Sequence, residues 1–527
     1  SPNPRTPEPR NPGTPEPPEP PGNPRNPRMR PSLRLFVIAA GLVTGFAAQA
    51  HAGLEQVLEG RLRAADLGPT RVSLFAYDLD TGDTLAQINP DARLIPASNM
   101  KLVTTAAALV NLGPDFVFRT ELRLLAAEDD AQGGPTLVVH GDGDPAFCDP
   151  VILEQHGLDV DEVLDRWVEQ VAATGHTRFE RLVIDDRVFD RDFTHPTWPS
   201  EQLIYRWCAP VAGLNFYQNL LDVLPQPTSY GQAPVVALYP AEADRILATT
   251  NRATTGNSES FWVSRTGEDA VTFHGSVKNR RSTPIQVTLP DPPLFFGKVF
   301  AQRLADRGVT VGGVARPRPG DTLPAGKVLH RMQTTLPLVL ERTNQDSQNM
   351  FAEALLKRMG RKITGRPGGF DNGAAAVRIA MQKLLGPRAS VLTVADGSGM
   401  SRDNRVSTRF VAELLIAMHH HDDPAVAEAF ASSLAVGGEN GTLRRRFRRF
   451  NDGEVLGKSG YLRGVSALSG YLVMPDHGDD GEGRTVVFSM LFNGFEPPLT
   501  NANMKRIQEE FIRVIEDAYD QRVHLGG

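Results

Sequence analysis

Cysteine is nearly missing: 527 residues contain two, Cys148 and Cys208. They have no C-x-x-C spacing, which excludes a structural zinc site of the usual kind. In an oxidising compartment they could form one disulfide or stay as two buried thiols. No run of 18 or more apolar residues occurs anywhere, so no full-length membrane span is expected and any membrane association is peripheral at most. Positive charge is not in excess, with 56 Lys+Arg against 62 Asp+Glu, which makes a general nucleic-acid binder a poor reading. There is no Walker loop, Rossmann fingerprint or H-E-x-x-H, and Gly141-Asp142-Gly143-Asp144 lacks EF-hand spacing, so no metal and no cofactor are expected. Residues 1–28 contain no large apolar residue but 12 of the 41 prolines, and such a segment cannot bury a core. The first methionine is Met29, so 1–28 reads as a disordered stretch upstream of the true start.

After Met29, Arg30 and Arg34 precede the apolar stretch Leu35–Ala48, and Ala50-His51-Ala52 has a small-x-small pattern. This is the order of a secretory signal peptide over 29–52, cut after Ala52, with export to the periplasm as its consequence. The remaining 475 residues carry 50 Lys+Arg and 59 Asp+Glu, enough chain for two or three domains. An amphipathic helix is expected over Gly53–Leu67, strands at Arg71–Leu79 and Thr84–Ile88, and a helix over Asn99–Leu112 opened by Pro96-Ala97-Ser98. Strands follow at Arg119–Leu125, Thr136–His140 and Arg178–Asp185, with a helix at Asp159–Ala173. Short alternating runs fill 225–293, and helical patterns return at Leu294–Arg307, Asn349–Met359, Ala374–Leu385 and Thr408–His419. A hairpin, Ala467–Met474 with Thr485–Asn493, and a helix over Asn501–Tyr519 close the chain.

Three short motifs carry chemistry. Ser98-Asn99-Met100-Lys101 is S-x-x-K at a helix start, Ser347-Gln348-Asn349 is S-x-N, and Lys458-Ser459-Gly460 is K-[ST]-G before a strand. A serine hydroxyl is a weak nucleophile until a base takes its proton. Positions i and i+3 share a helical face, so Lys101 lies one turn below Ser98. A lysine serves as that base only when neutral, which burial or a cationic neighbour such as Lys458 would favour. Ser347 could relay a proton to a leaving group, Asn349 could offer its amide to a substrate backbone, and the Ser98 N–H could help stabilise an oxyanion. Each motif alone is weak, and their order and contexts carry the argument.

That order resembles the serine penicillin-recognising enzymes. The gaps of 249 and 111 residues between the three serines or lysines of the motifs resemble the D-alanyl-D-alanine carboxypeptidase/endopeptidases of the penicillin-binding protein 4 type, which carry inserted domains between the first two motifs. Leu137–Pro145 (LVVHGDGDP), Leu182–Phe189 (LVIDDRVF), Asp396–Arg402 (DGSGMSR), Gly441–Arg446 (GTLRRR) and Gly457–Leu472 (GKSGYLRGVSALSGYL) are similar to further strings of that family. The resemblance implies an α/β (α+β) fold: a penicillin-binding/β-lactamase-like transpeptidase core, an antiparallel sheet covered by helices, with two nested, mainly β inserted domains. It divides the chain into a catalytic domain (53–115 and 330–527), an inserted domain (116–224 and 294–329) and a small β domain nested in it (225–293).

The resemblance further implies that Ser98 attacks the carbonyl between two D-alanines of a peptidoglycan stem peptide, with Lys101 as base. Ser347 would protonate the departing group, Lys458 and Ser459 would hold the terminal carboxylate, and the N–H groups of Ser98 and Tyr461 would form the oxyanion hole. Asp185 and Arg402 would read the free end of diaminopimelate, and β-lactams would trap Ser98. Phe189 and Asn219 are expected to serve packing and loop support. Ser459 in place of threonine, Tyr461 in place of a small hydroxyl residue and Arg463 in place of glutamine depart from the family and bear on specificity. A β-lactamase on the same core and a catalytically dead peptidoglycan-binding protein are the alternatives, and a homo-oligomer is left open. His419-His420-His421 is expected to suit a helix C-terminus rather than a metal, and the arginines of 444–449 to form a solvated face or a glycan contact.

Overall fold

The computed structural model describes residues 44–126, 134–448, 453–475 and 483–525, with side chains from Leu54 to Tyr519. Most of the expected signal peptide, including its apolar stretch up to Val43, lies outside the described residues. Among those described, no helix is long and apolar enough to cross a membrane.

The body over 48–527 is built on a six-stranded sheet whose neighbouring strands are all antiparallel. Its order is Ala435–Val436, Glu454–Leu462, Val465–Met474, Arg484–Asn493, Arg71–Asp78 and Thr84–Ile88. The period-2 alternation of a strand decides its two faces. Ala467, Tyr471, Val487 and Leu491 point to one core, which holds the helices Met100–Leu112, Leu336–Asn344, Asn349–Thr364, Phe370–Leu385 and Thr408–His419. Leu468, Leu472, Val486, Phe488, Met490 and Phe492 point to the other. There they meet Leu54 and Leu58 of the helix Thr44–Ala64, and Met504, Ile507, Phe511 and Ile515 of the helix Asn501–Leu525. Each such side chain, fully buried, contributes about 1.5–3 kcal/mol.

A third core lies beneath a five-stranded mixed sheet ordered Val314–Ala315, Leu182–Asp185, Thr136–Gly141, Val117–Leu125 and Lys327–Thr335. The helices Val160–Ala172 and Pro292–Asp306 pack on it, and Phe147, Trp167, Phe216, Phe296 and Phe300 form its aromatic centre. The same core includes residues of two three-stranded sheets. One joins Leu220–Gln226 to Val235–Tyr239 and Ile285–Thr288. The other joins Trp262–Arg265, Ala270–His274 and Ala248–Asn251.

Two local expectations need correction. The single strand expected over Arg178–Asp185 is two: Arg178–Phe179 pairs with Thr310–Val311, and after a break Leu182–Asp185 enters the five-stranded sheet. The arginines near 446 do not form a uniformly solvated face. Arg446 is buried, donating to Glu509 at 2.7 Å and to the Lys505 carbonyl and Gln508 at 3.1 Å. Both thiols are free and buried.

Candidate active site

The chain reaches Ser98 through a strained turn. Ala97 has φ +47°, a conformation that costs a residue with a Cβ about 1–3 kcal/mol, and the short 3₁₀ turn Ala97–Asn99 leads into the helix Met100–Leu112. Two contacts pin this turn. Asn99 donates to Ser469 Oγ at 2.7 Å, and Gly399 lies so close that an added Cβ would stand 1.8 Å from the Ala97 carbonyl oxygen. The helix itself follows from a run of Ala and Leu with few competing polar groups, and it ends at Gly113, whose φ is +87°.

Burial then acts on Lys101, whose side chain is fully enclosed. Its Nζ donates to Ser98 Oγ at 3.2 Å, to Asn349 Oδ1 at 2.6 Å and to the Ser398 carbonyl at 2.8 Å. Desolvation lowers its pKa to about 7, and the carboxyls of Glu353 and Asp396 resist that fall. Ser347, just before the helix Asn349–Thr364, also sits in the left-handed region at φ +60°. Its Oγ accepts from Lys458 Nζ at 2.9 Å, and the same ammonium reaches the Ser459 carbonyl at 2.8 Å. Burial holds Lys458 well below the ordinary lysine range, with Lys101 pushing the same way and Asp346 opposing.

Lys458, Ser459, Gly460 and Tyr461 lie on the strand Glu454–Leu462, which runs against the turn that carries Ser98. Gly460 makes that approach feasible: a Cβ there would stand 3.0 Å from both Ser98 N and the Pro96 oxygen. Tyr461 is 55 % exposed, so its ring stands at the surface. The structure thus brings the five together as two hydrogen-bonded sets, Ser98–Lys101–Asn349 and Ser347–Lys458, with the charge of Lys101 acting on Lys458 and with Ser459, Gly460 and Tyr461 beside them.

Asp185 and Arg402 stand in separate hydrogen-bond sets. Asp185 is buried, paired with Arg187 at 2.7 Å and near His140 at 3.2 Å. Burial alone would raise its carboxyl, but the hydrogen bonds and charges of His140 and Arg187 outweigh it and hold the group well below the usual range. Arg402 is exposed and donates to the Arg463 carbonyl at 2.6 Å. Phe189 is buried against Gly143 and Gly368, and Asn219 ties Pro210, Asn215 and Phe216 together.

Other groups at the site escape sequence reasoning. Trp198 donates Nε1–H to Asp396 at 2.8 Å, the Trp207 carbonyl accepts from Asn349 Nδ2 at 2.7 Å, and Thr197 meets Ser401 at 2.7 Å. Asp396 accepts further from the N–H groups of Gly399 and Ser401 and from Asn404, which folds the loop 396–404 around it. Glu353 accepts from the N–H groups of Gly397 and Ser398. It stands four residues after Asn349, on the same helical face, and that spacing was the available signal.

Comparison with known proteins gives the family and the fold. The profile of the D-Ala-D-Ala carboxypeptidase 3 (S13) family matches residues 54–516. A D-alanyl-D-alanine carboxypeptidase from Actinomadura sp. is 32 % identical over 450 residues, covering 81 % of this chain and 78 % of the relative. The D-alanyl-D-alanine carboxypeptidase DacB of Haemophilus influenzae is 22 % identical over 452 residues, covering 83 % of this chain and 88 % of the relative. The crystal structure of penicillin binding protein 4 from Haemophilus influenzae superimposes with a TM-score of 0.69 at 20 % identity, covering 89 % of this chain and 98 % of that one. It shares the α/β fold found here. The chain belongs to the D-Ala-D-Ala carboxypeptidase 3 (S13) family, serine peptidases that are hydrolases, and has the fold of penicillin-binding protein 4.

Proposed function

We propose that this D-Ala-D-Ala carboxypeptidase works through an acyl-enzyme on Ser98, cleaves both the D-Ala-D-Ala ends and the D-Ala-diaminopimelate cross-links of peptidoglycan, and is trapped by penicillins. The observation that carries the reading is the pairing of two buried lysines with two serines, Lys101 with Ser98 at 3.2 Å and Lys458 with Ser347 at 2.9 Å. A neutral Lys101 takes the Ser98 proton as Oγ attacks the carbonyl between the two D-alanines. The N–H groups of Ser98 and Tyr461 receive the developing oxyanion. Ser347, hydrogen-bonded to Lys458, passes a proton to the departing amine, and Lys458 and Ser459 hold the terminal carboxylate. Asn349 fixes Lys101 and offers its amide to the substrate backbone. Water then hydrolyses the ester, with Lys101 again as base.

Residues 29–52 direct export to the periplasm, where the polymer lies. The catalytic part spans 53–115 and 330–527, the inserted part 116–224 and 294–329, and the nested β part 225–293. Asp185, held anionic by its two basic neighbours, reads the ammonium at the free end of diaminopimelate, and the exposed Arg402 reads the carboxylate. Asp185→Asn therefore raises KM for cross-linked substrate while leaving the rate of penicillin acylation unchanged. Mature protein incubated with a fluorescent penicillin is expected to carry one covalent label on the peptide containing Ser98, absent from Ser98→Ala. Folded wild-type protein that takes no label overturns the reading.

A further inference from the structure

We propose that Glu353 is a positioning residue for the serine–lysine pair. Its carboxylate clamps the Gly397–Ser398 backbone so that the Ser398 carbonyl holds Lys101 Nζ beside Ser98, and its negative charge acts on Lys101 across that backbone. The inference rests on the assignment of Lys101 as the base.

The geometry is specific. Glu353 is 0 % exposed, on the helix that begins with Asn349. One carboxyl oxygen accepts the Gly397 N–H at 2.8 Å and the other accepts the Ser398 N–H at 2.8 Å. The next carbonyl along, that of Ser398, accepts from Lys101 Nζ at 2.8 Å, and the Gly397 carbonyl accepts from Thr104 at 2.7 Å. Asn349, one turn earlier on the same helix, holds the same ammonium at 2.6 Å. One helical face therefore fixes Lys101 twice, directly through Asn349 and through the loop clamped by Glu353.

A carboxylate receiving two backbone donors suits this place, because a glutamine there presents an amide nitrogen to one of the two N–H groups. The charged groups facing Lys101 are Glu353, Asp396 and Lys458. Those facing Glu353 include Asp396 and, on its own helix, Lys357, which pairs with Asp190 at 2.7 Å. Burial raises the Glu353 carboxyl, with Asp396 adding to it, while the donors of Gly397 and Ser398 on its two oxygens favour the charged form.

The test is the second-order rate of Ser98 acylation by fluorescent penicillin from pH 5.5 to 9.5. It compares wild type, Glu353→Gln and Glu353→Asp, with thermal unfolding measured alongside. Glu353→Gln removes the charge that favours protonated Lys101. Its acid limb is expected about half a pH unit or more below that of wild type. Its plateau is expected roughly tenfold lower, because one clamped N–H loses its acceptor. Glu353→Asp keeps the charge but is one methylene too short to span both donors, so its limb stays at the wild-type position while the plateau falls. A Glu353→Gln profile that superimposes on wild type overturns the inference. So does a Glu353→Asp limb displaced as far as that of Glu353→Gln, since charge would then not be the variable. Should Glu353→Gln fail to fold, the Glu353→Asp profile decides: a wild-type plateau overturns the clamp. Wild type that is not acylated at Ser98 fails the reading beneath the inference instead.

Discussion

Replacing Gly460 by alanine tests whether the distance between the K-S-G strand and the turn that carries Ser98 is the quantity that catalysis depends on. An alanine Cβ at 460 stands 3.0 Å from Ser98 N, 3.0 Å from the Pro96 oxygen and 3.2 Å from Ala467 Cβ. Ordinary contacts of this kind are about 3.5 Å or more, so the strand and turn must separate by several tenths of an ångström. Ala467, paired with Gly460 on the neighbouring strand, crowds the same Cβ, so a sideways shift gives no relief. No positive φ is required at 460, so the backbone tolerates the alanine and only the spacing changes. Loss of a whole oxyanion donor costs about 10²–10³ in rate, so if the N–H groups of Ser98 and Tyr461 form the proposed oxyanion hole, a partial displacement of one from the other is expected to cost about 10–100-fold. Folding loses about 1–3 kcal/mol from the crowding. The assay is the second-order acylation rate at pH 8 with fluorescent penicillin, set beside the thermal midpoint. Folded Gly460→Ala that acylates within about twofold of wild type refutes the spacing argument.

Other expectations follow from the same geometry. With Lys101 at about 7 and active only when neutral, its neutral fraction rises from about 9 % at pH 6 to about 91 % at pH 8. Acylation should climb about tenfold across that interval, whereas a flat profile removes Lys101 as the base, and Lys101→Arg should be inert at every pH because its guanidinium stays charged. Trp198→Phe leaves Asp396 without its indole donor and is expected to cost about 1–3 kcal/mol in a urea titration, so an unchanged midpoint would show that the bond matters little. Burial raises Cys208 to about 12 and Cys148 well above the ordinary thiol range, so iodoacetamide at pH 8 should label neither thiol in the native protein and both after denaturation. Labelling of native Cys208 would mean that the loop carrying it opens.

Local signals in the sequence were dependable where the chain obeys local rules. The strand Thr84–Ile88 and the helix Thr408–His419 have the bounds that their periodicity predicts. The three motifs likewise meet in space, because a helix start, a second helix start and a strand edge leave few ways to orient a serine and a lysine. What stayed hidden depends on distant partners. Glu353 and Lys357 stand at i, i+4, the spacing of a surface ion pair, yet both are fully enclosed and turn to different partners, Glu353 to the loop at 397–398 and Lys357 to Asp190. Arg446 reads as one of a charged run until the helix Asn501–Leu525 is laid over it and supplies Glu509. The break between Phe179 and Leu182 depends on which of two sheets each half joins, and nothing nearby in sequence tells the two apart.

The struts at Trp198 and Trp207 bear on when this protein becomes an enzyme. Asn349 leans on the Trp207 carbonyl, the Asp396 loop leans on the Trp198 indole, and Arg342 is held by Asp149 at 2.9 Å. Ser98 lies near the beginning of the body, the supports in the middle, and Lys458 about 70 residues before the end. Contacts of such long sequence separation need the intervening chain to be present and carry a loop-closure cost before they form. A chain whose middle has not yet packed thus holds Ser98 and Lys101 without the supports that position their partners. Peptidase activity is the signature of completed folding, and a nick or deletion in the 198–207 segment should silence it as surely as the loss of Ser98.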